Sequence, residues 1–237
     1  MTETINKTKQ QEEAVPVDNS NKMLVTMVSI CIACALLIVL TFEGTAPRIA
    51  KLKAEALQGA IFKVIPNISQ VQLFELLADG SFRAATEQEK GKDYIFAGYN
   101  ADNELKGVAI MAHGQGYADL IHILYGYDLD KQQIVGLYVL ESKETPGLGD
   151  KIEKDPAFVA NFKALDAQLN EAKTALQHPI TTVKHGEKQN PYEIDGITGA
   201  TISSRTIGEI LQKSSSHYLP MIQQHREQLS NMLNQNP

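Results

Sequence analysis

The chain begins polar, becomes wholly apolar, and then settles into short alternations of apolar and polar positions. From 23 to 42 the sequence MLVTMVSICIACALLIVLTF carries no charged residue. As a helix rising about 1.5 Å per residue, it matches the roughly 30 Å hydrocarbon core of a bilayer. It reads as a membrane span. A cleaved leader competes, because Gly44 and Ala46 put small residues after the run, but the polar stretch before it is long and the apolar stretch exceeds a leader's usual length. A lipid-acceptor role for Cys34 fails because apolar residues continue beyond it. The segment 1–22 mixes Lys7, Lys9, Glu12, Glu13 and Asp18 with amides and hydroxyls; it lacks the apolar content to fold alone and is expected to be a disordered tail.

After a short linker at 44–47, Ile49, Leu52, Ala56, Leu57, Ala60, Ile61 and Val64 recur at three- and four-residue steps. This predicts an amphipathic helix over 48–64, ended by Pro66. Short β-rich runs follow at 71–77, 94–99, 107–111, 120–127 and 134–140, separated by Gly, Asn and Asp. Phe158, Phe162, Leu165, Leu169 and Leu176 predict a helix over 157–176, and two further helices are expected at 206–213 and 220–233. Strands followed by helices, without βαβ alternation, indicate an α+β domain with an antiparallel sheet and flanking helices. The expected divisions are a tail at 1–22, a transmembrane helix at 23–42, a juxtamembrane helix at 43–66, a globular domain at 67–213 and a C-terminal helix at 214–237.

Composition narrows the function. A formal net charge of -6 argues against a nucleic-acid partner, which needs clustered Lys and Arg. Both cysteines, Cys31 and Cys34, lie in the apolar run, so the polar part can build neither a disulfide framework nor a thiolate metal site. Lys7, Lys9 and Lys22 on one side of the span are balanced by Arg48, Lys51 and Lys53 on the other, so positive charge does not decide orientation. The histidines show no metal-ligand pair at a diagnostic spacing.

The most informative stretch is Asp195-Gly-Ile-Thr198-Gly199-Ala200-Thr201-Ile-Ser203-Ser204. Gly199 and Ala200 let backbone approach an anion, the hydroxyls can donate hydrogen bonds, and a following helix N-terminus favours negative charge. The bland alternative is a glycine turn with a Ser or Thr cap, and Thr206 with Glu209 fits a capping box. A hydrolase using Ser203 or Thr201 finds no Gly-x-Ser-x-Gly elbow and no triad pattern.

Asp-Gly-Ile-Thr-Gly-Ala-Thr resembles the flavinylation motif of FMN-binding domains in the Rnf-type electron transport complex and the sodium-pumping NADH:quinone oxidoreductase. The likeness is closer to the Rnf G subunit than to the sodium-pump C subunit. It implies covalent FMN, joined by a phosphoester to Thr201 and installed from FAD by a separate flavin transferase with a divalent metal. Asp195, Thr198, Gly199 and Ala200 would be recognition positions. Glu144-Thr145-Pro146-Gly147-Leu148-Gly149-Asp150-Lys151-Ile152 resembles a loop of the Rnf G subunit in the same order along the chain. There Leu148 would cover a flavin face and Thr145 or a backbone amide would bond the ring edge; taken alone, the loop reads as a hairpin-like turn. His113-Gly-Gln-Gly-Tyr117 resembles the family's glycine-rich stretch, with Tyr117 placed to stack on the ring. Lys184 falls where the family sets a basic residue near the flavin, and its charge would offset that of the phosphate or reduced flavin.

The resemblance implies an electron-carrying subunit, with no stand-alone catalysis, of a ferredoxin- and NAD-linked, ion-translocating oxidoreductase complex. Other membrane and peripheral subunits would be its partners. It would sit in the cytoplasmic (inner) membrane with its C-terminal domain extracytoplasmic. The competing function is a membrane-anchored flavin- or anion-binding module outside such a complex.

Overall fold

The computed structural model describes residues 20–89 and 91–232. The chain divides into two units, the first ending at Leu52 and the second starting at Lys53. The first described element is α1, Ser20–Val64, which includes a stretch long and apolar enough to cross a membrane, with its side chains exposed. The linker expected at 44–47 is helical instead. Thr41 and Thr45 donate their hydroxyls to the carbonyls of Leu37 and Thr41, at 2.6 and 2.8 Å, and Pro47 is accommodated although it lacks a donor for the preceding turn. Most of the tail expected over 1–22 lies outside the described residues.

The second unit is built on a seven-stranded sheet. Its strands are β1 (Gln70–Leu76), β2 (Phe82–Ala85), β3 (Asp93–Tyr99), β4 (Leu105–Gln115), β5 (Leu120–Asp128), β6 (Gln133–Glu141) and β7 (Leu165–Asp166). Their order is β2-β1-β3-β4-β5-β6-β7, and every pair is antiparallel. The alternating runs thus form one sheet in an α+β fold. On one face Phe74, Ile95, Val108, Ile110, Ile123 and Tyr125 join a core completed by Ile207, Leu211 and Ile222 of a long helix, α4 (Thr201–Gln224). The Tyr125 hydroxyl meets the Ser214 hydroxyl at 2.8 Å, and Gln223 Nε2 donates to the Leu129 carbonyl at 2.9 Å. These bonds satisfy polar groups that burial would otherwise leave unpaired.

The other face receives the end of α1. Ala60, Ile61, Val64 and Ile65 pack against Phe96, Ala109 and Leu124. Contact is close because two glycine pairs, Gly98 with Gly107 and Gly126 with Gly136, lie on this face. A Cβ at Gly126 would stand 2.0 Å from the Val64 carbonyl oxygen, and one at Gly136 2.6 Å from the Val64 Cα. The missing side chains form the trough in which the helix ends.

The C-terminal half departs from its periodicity. The helix expected at 157–176 is reduced to α3 (Pro156–Ala160) and a 3-10 turn at Asn161–Lys163, preceded by a short helix, α2 (Lys151–Lys154). Asp155 caps α3 by accepting from the amides of Ala157 and Phe158, at 2.9 and 3.3 Å. The chain then pairs with the edge of β6, Ile134↔Leu165, while Gln132 Oε1 takes the Leu169 amide at 2.9 Å. Leu165 and Leu169 are buried, but an available sheet edge and the Gln132 side chain claim their backbone, overriding helical propensity. The two helices expected at 206–213 and 220–233 are instead α4, with Pro220 inside it, and α5 (Arg226–Met232). Leu219, Pro220 and Ile222 are all buried, and that packing carries α4 through the proline. A small parallel pair, β8 (Thr181–Val183) and β9 (Glu193–Asp195), completes the unit.

Candidate functional site

Three connections converge on the first turn of α4. The link from β4 to β5 is closed by the Gly116 amide donating to the Asp119 carbonyl at 2.9 Å, and Tyr117 at its tip is 69% exposed. The loop after β6 winds around one atom: the Thr145 carbonyl accepts from the Leu148, Gly149 and Asp150 amides, at 3.1, 3.0 and 3.4 Å. Gly147 takes φ +79, a region that favours glycine, and its amide donates to Asp150 Oδ1 at 2.7 Å. This turn leads into α2 and does not close a hairpin. In the third connection Gly199 takes φ +84, and the chain enters α4 at Thr201.

The helix start differs from the capping box expected at Thr206. Thr206 lies inside α4, and its hydroxyl donates across the domain to the Gln115 carbonyl at 3.0 Å. The Ser204 hydroxyl accepts the Ile197 amide at 3.3 Å and donates to the Thr201 carbonyl at 3.2 Å. No side chain caps the helix at Ala200, leaving first-turn amides available to an anion. Thr201 is exposed, and no described residue engages its hydroxyl.

Glu144 fastens the three connections together. It is 6% exposed; its Oε1 accepts the Ala118 amide at 3.0 Å, and its Oε2 accepts the Ser203 hydroxyl. Two glycines make room for the carboxylate, since a Cβ at Gly116 would lie 2.5 Å from Oε1 and one at Gly149 2.6 Å from Oε2. Ser203 is buried and committed to this bond, which leaves it no nucleophilic role.

Thr201 stands where two recesses meet. One, of about 330 Å³, is lined by Tyr117, Glu144, Thr145, Leu148, Gly149, Gly199, Ala200, Ile202 and Ser203 as well as Thr201. Tyr117, Leu148 and Ile202 are more than half exposed, giving it an apolar rim. The other, of about 360 Å³, is lined by Thr182, Lys184, His185, Thr198, Ser204 and Arg205, among others, again with Thr201. Lys184 and Arg205 outweigh the one lining carboxylate, Glu187, and make this side net cationic.

The structure therefore gathers Tyr117, Glu144, Thr145, Leu148, Gly199, Ala200 and Thr201 around one recess, and Lys184 and Thr198 around the other. Gly147 shapes its loop without lining either. Asp195 also lines neither: its carboxylate accepts the Gly186 amide at 2.7 Å and pairs with His185 Nδ1 at 3.2 Å, fastening the loop between β8 and β9. Ile202 and Arg205 line the recesses without having been singled out by the sequence pattern. The helical period gives a signal for Arg205, since it falls four residues after Thr201, on the same side of α4.

Residues 116–215 match the model of the FMN-binding domain family. The chain is 27% identical over 198 residues to the G subunit of the ion-translocating oxidoreductase complex of Methanosarcina acetivorans, covering 81% of this chain and 91% of that one. It is 26% identical over 209 residues to the protein of the same name from Aliivibrio fischeri, covering 85% and 89%. Among solved structures, NqrC of Shewanella oneidensis shares the fold at a TM-score of 0.52 and 17% identity, over 79% of this chain and all (100%) of that one.

Proposed function

We propose that this chain, which carries an FMN-binding domain and is a relative of the G subunits of ion-translocating oxidoreductase complexes, is a membrane-anchored electron-carrying subunit with FMN esterified to Thr201. The observation that carries this reading is the place of Thr201, exposed at the first position of α4 on the rim shared by an apolar and a cationic recess. The residues present fit the group. The first-turn amides of α4, with Lys184 and Arg205, would hold a phosphodiester, while Tyr117, Leu148 and Ile202 offer apolar surface to a flat ring. When bound, the flavin supplies reversible one-electron transfer.

Attachment is a substitution at phosphorus. The Thr201 oxygen would form a bond to the FMN-side phosphorus of FAD, with AMP leaving and the hydroxyl proton released. A separate flavin transferase with a divalent metal ion carries it out. The chain's own residues then position and insulate. Glu144 holds the Tyr117 turn, the Leu148 loop and the start of α4 in one arrangement, and Gly199 leaves the approach to Thr201 open. The resemblance extends the proposal to a complex that links ferredoxin and NAD to ion movement, with this domain on the extracytoplasmic side of the cytoplasmic membrane.

Production alongside the flavin transferase, followed by denaturing electrophoresis and flavin fluorescence, tests the attachment. The band should fluoresce in the unaltered protein and be dark in Thr201→Ala, whose stability should change by no more than about 0.5 kcal/mol, as for an exposed side chain. The cationic recess around Lys184 and Arg205 also suits an anion held without a bond. In that second function, outside such a complex, flavin would be released on denaturation from both proteins.

A further inference from the structure

The apolar recess beside Thr201 contains a single carboxylate. Among its lining residues Glu144 is the one acid or base apart from the Tyr117 phenol. No cation pairs with it among the described residues. Its oxygens accept instead from two neutral donors, the Ala118 amide at 3.0 Å and the Ser203 hydroxyl. Both oxygens accept, which is the hydrogen-bonding pattern of a carboxylate. Ile121, fully buried, crowds the same space: a Cβ at Gly116 would lie 2.8 Å from Ile121 Cδ1 as well as 2.5 Å from Glu144 Oε1. A buried charge without a counter-ion costs folding free energy.

Fastening the three connections does not require that charge. A glutamine in the same place would offer the Ala118 amide a carbonyl oxygen, and its own amide would donate to a Ser203 hydroxyl turned to accept. Burying a neutral amide also costs less than burying a carboxylate. What Glu144 adds over glutamine is a negative potential in the recess, offset by no cation there and weakly screened because the side chain is only 6% exposed. Lys184 and Arg205 line the other recess, the one assigned to the phosphodiester.

We propose that Glu144 sets the reduction potential of the flavin, holding it low by opposing the arrival of negative charge in the apolar recess. This role rests on the assignment of FMN to Thr201 with its ring against Tyr117, Leu148 and Ile202, and it belongs to the charge of Glu144 and not to its hydrogen bonds. Each electron delivered by a one-electron donor of a neighbouring subunit brings one negative charge to the ring. Glu144 exchanges no proton and forms no bond; it acts through space, disfavouring the electron-bearing flavin relative to the neutral oxidised ring.

The test uses the full chain in lipid nanodiscs, loaded by the flavin transferase and titrated without oxygen with dithionite against a reference dye. Glu144→Gln should retain covalent flavin and shift the reduction equilibrium about tenfold toward the reduced form, a rise of roughly 59 mV for a one-electron step. Glu144→Ala should raise the potential by the same factor although it loses both contacts. Potential then follows charge, while stability to urea follows the contacts, with Glu144→Gln nearer the unaltered protein than Glu144→Ala. A potential in Glu144→Gln equal to or below that of the unaltered protein would overturn the proposal, as would a rise confined to Glu144→Ala. Absence of covalent flavin from the unaltered protein, read on a denaturing gel before any titration, would overturn the Thr201 assignment and this role with it.

Discussion

The Ser203 hydroxyl donates to the Glu144 carboxylate across 59 positions of sequence, tying the start of α4 to the loop after β6. The same carboxylate takes the Ala118 amide from the turn carrying Tyr117. Replacing Glu144 by Ala removes the acceptor from two donors; the amide of the exposed Ala118 can turn to water, but the buried Ser203 hydroxyl left unmet costs about 1–3 kcal/mol. Glu144→Ala should therefore lower stability by that order or more and reduce flavin loading, whereas Glu144→Gln keeps an acceptor for one of them and should do less of both. Urea unfolding and the flavin-to-protein absorbance ratio read the two effects. A coupling with Ser203→Ala of about 0.5–3 kcal/mol in a double-mutant cycle would confirm that the two side chains act together.

Gly149 is the complementary case. A methyl group there would lie 2.6 Å from Glu144 Oε2 and 2.7 Å from its Cβ, so the carboxylate must move. Gly149→Ala should destabilise by about 1–3 kcal/mol, the usual range for overpacking, and lower flavin loading without touching Thr201. Loading equal to that of the unaltered protein would show that the position of Glu144 is immaterial to the site.

The convergence at the candidate site was legible in part, because the small and hydroxylated run at Gly199 and Thr201 and the loop at Thr145 and Leu148 line one recess. The sheet was legible too, since β1 and β3 to β6 fall on the five apolar, β-branched runs, although β3 is buried on both faces rather than alternating. What escaped was long-range competition for backbone. Leu165 and Leu169 keep a helical spacing, yet the open edge of β6 and the side chain of Gln132 take that segment. Thr206 has the signature of a cap, but its hydroxyl partner, the Gln115 carbonyl, lies on a distant strand. The bond between Ser203 and Glu144 is likewise invisible to local pattern, as is the fastening role of Asp195.

The glycine trough makes a prediction with its own internal contrast. Gly126→Ala would place a methyl group 2.0 Å from the Val64 carbonyl oxygen, where backbone must yield. Gly59, within α1, has nothing within 4 Å of its would-be Cβ. Gly126→Ala should lower the midpoint of thermal unfolding, while Gly59→Ala should stabilise by about 0.5–1 kcal/mol through helix propensity. If the two variants behaved alike, the seat of α1 on the sheet would be misdescribed.

Acid should loosen the Leu148 loop at a definite point. Hydrogen bonding by Lys154 holds the Asp150 carboxyl below its ordinary value of 3.8, and the Gly147 amide pulls the same way. Because the folded value is depressed, this stabilisation is fully present above pH 3.8 and is lost as the pH falls through the lower folded value. The Gly147 amide resonance, titrated with acid, should therefore show a midpoint below 3.8. A midpoint at or above that value would remove Asp150 from its assigned place.

Intact mass with peptide mapping, on protein made alongside the flavin transferase, tests the central claim most directly. Esterification of FMN at Thr201 predicts an FMN-sized addition confined to the peptide containing Thr201 and absent from Thr201→Ala. An unmodified Thr201 peptide from a host that flavinylates other proteins, or the same addition on another residue, would contradict it.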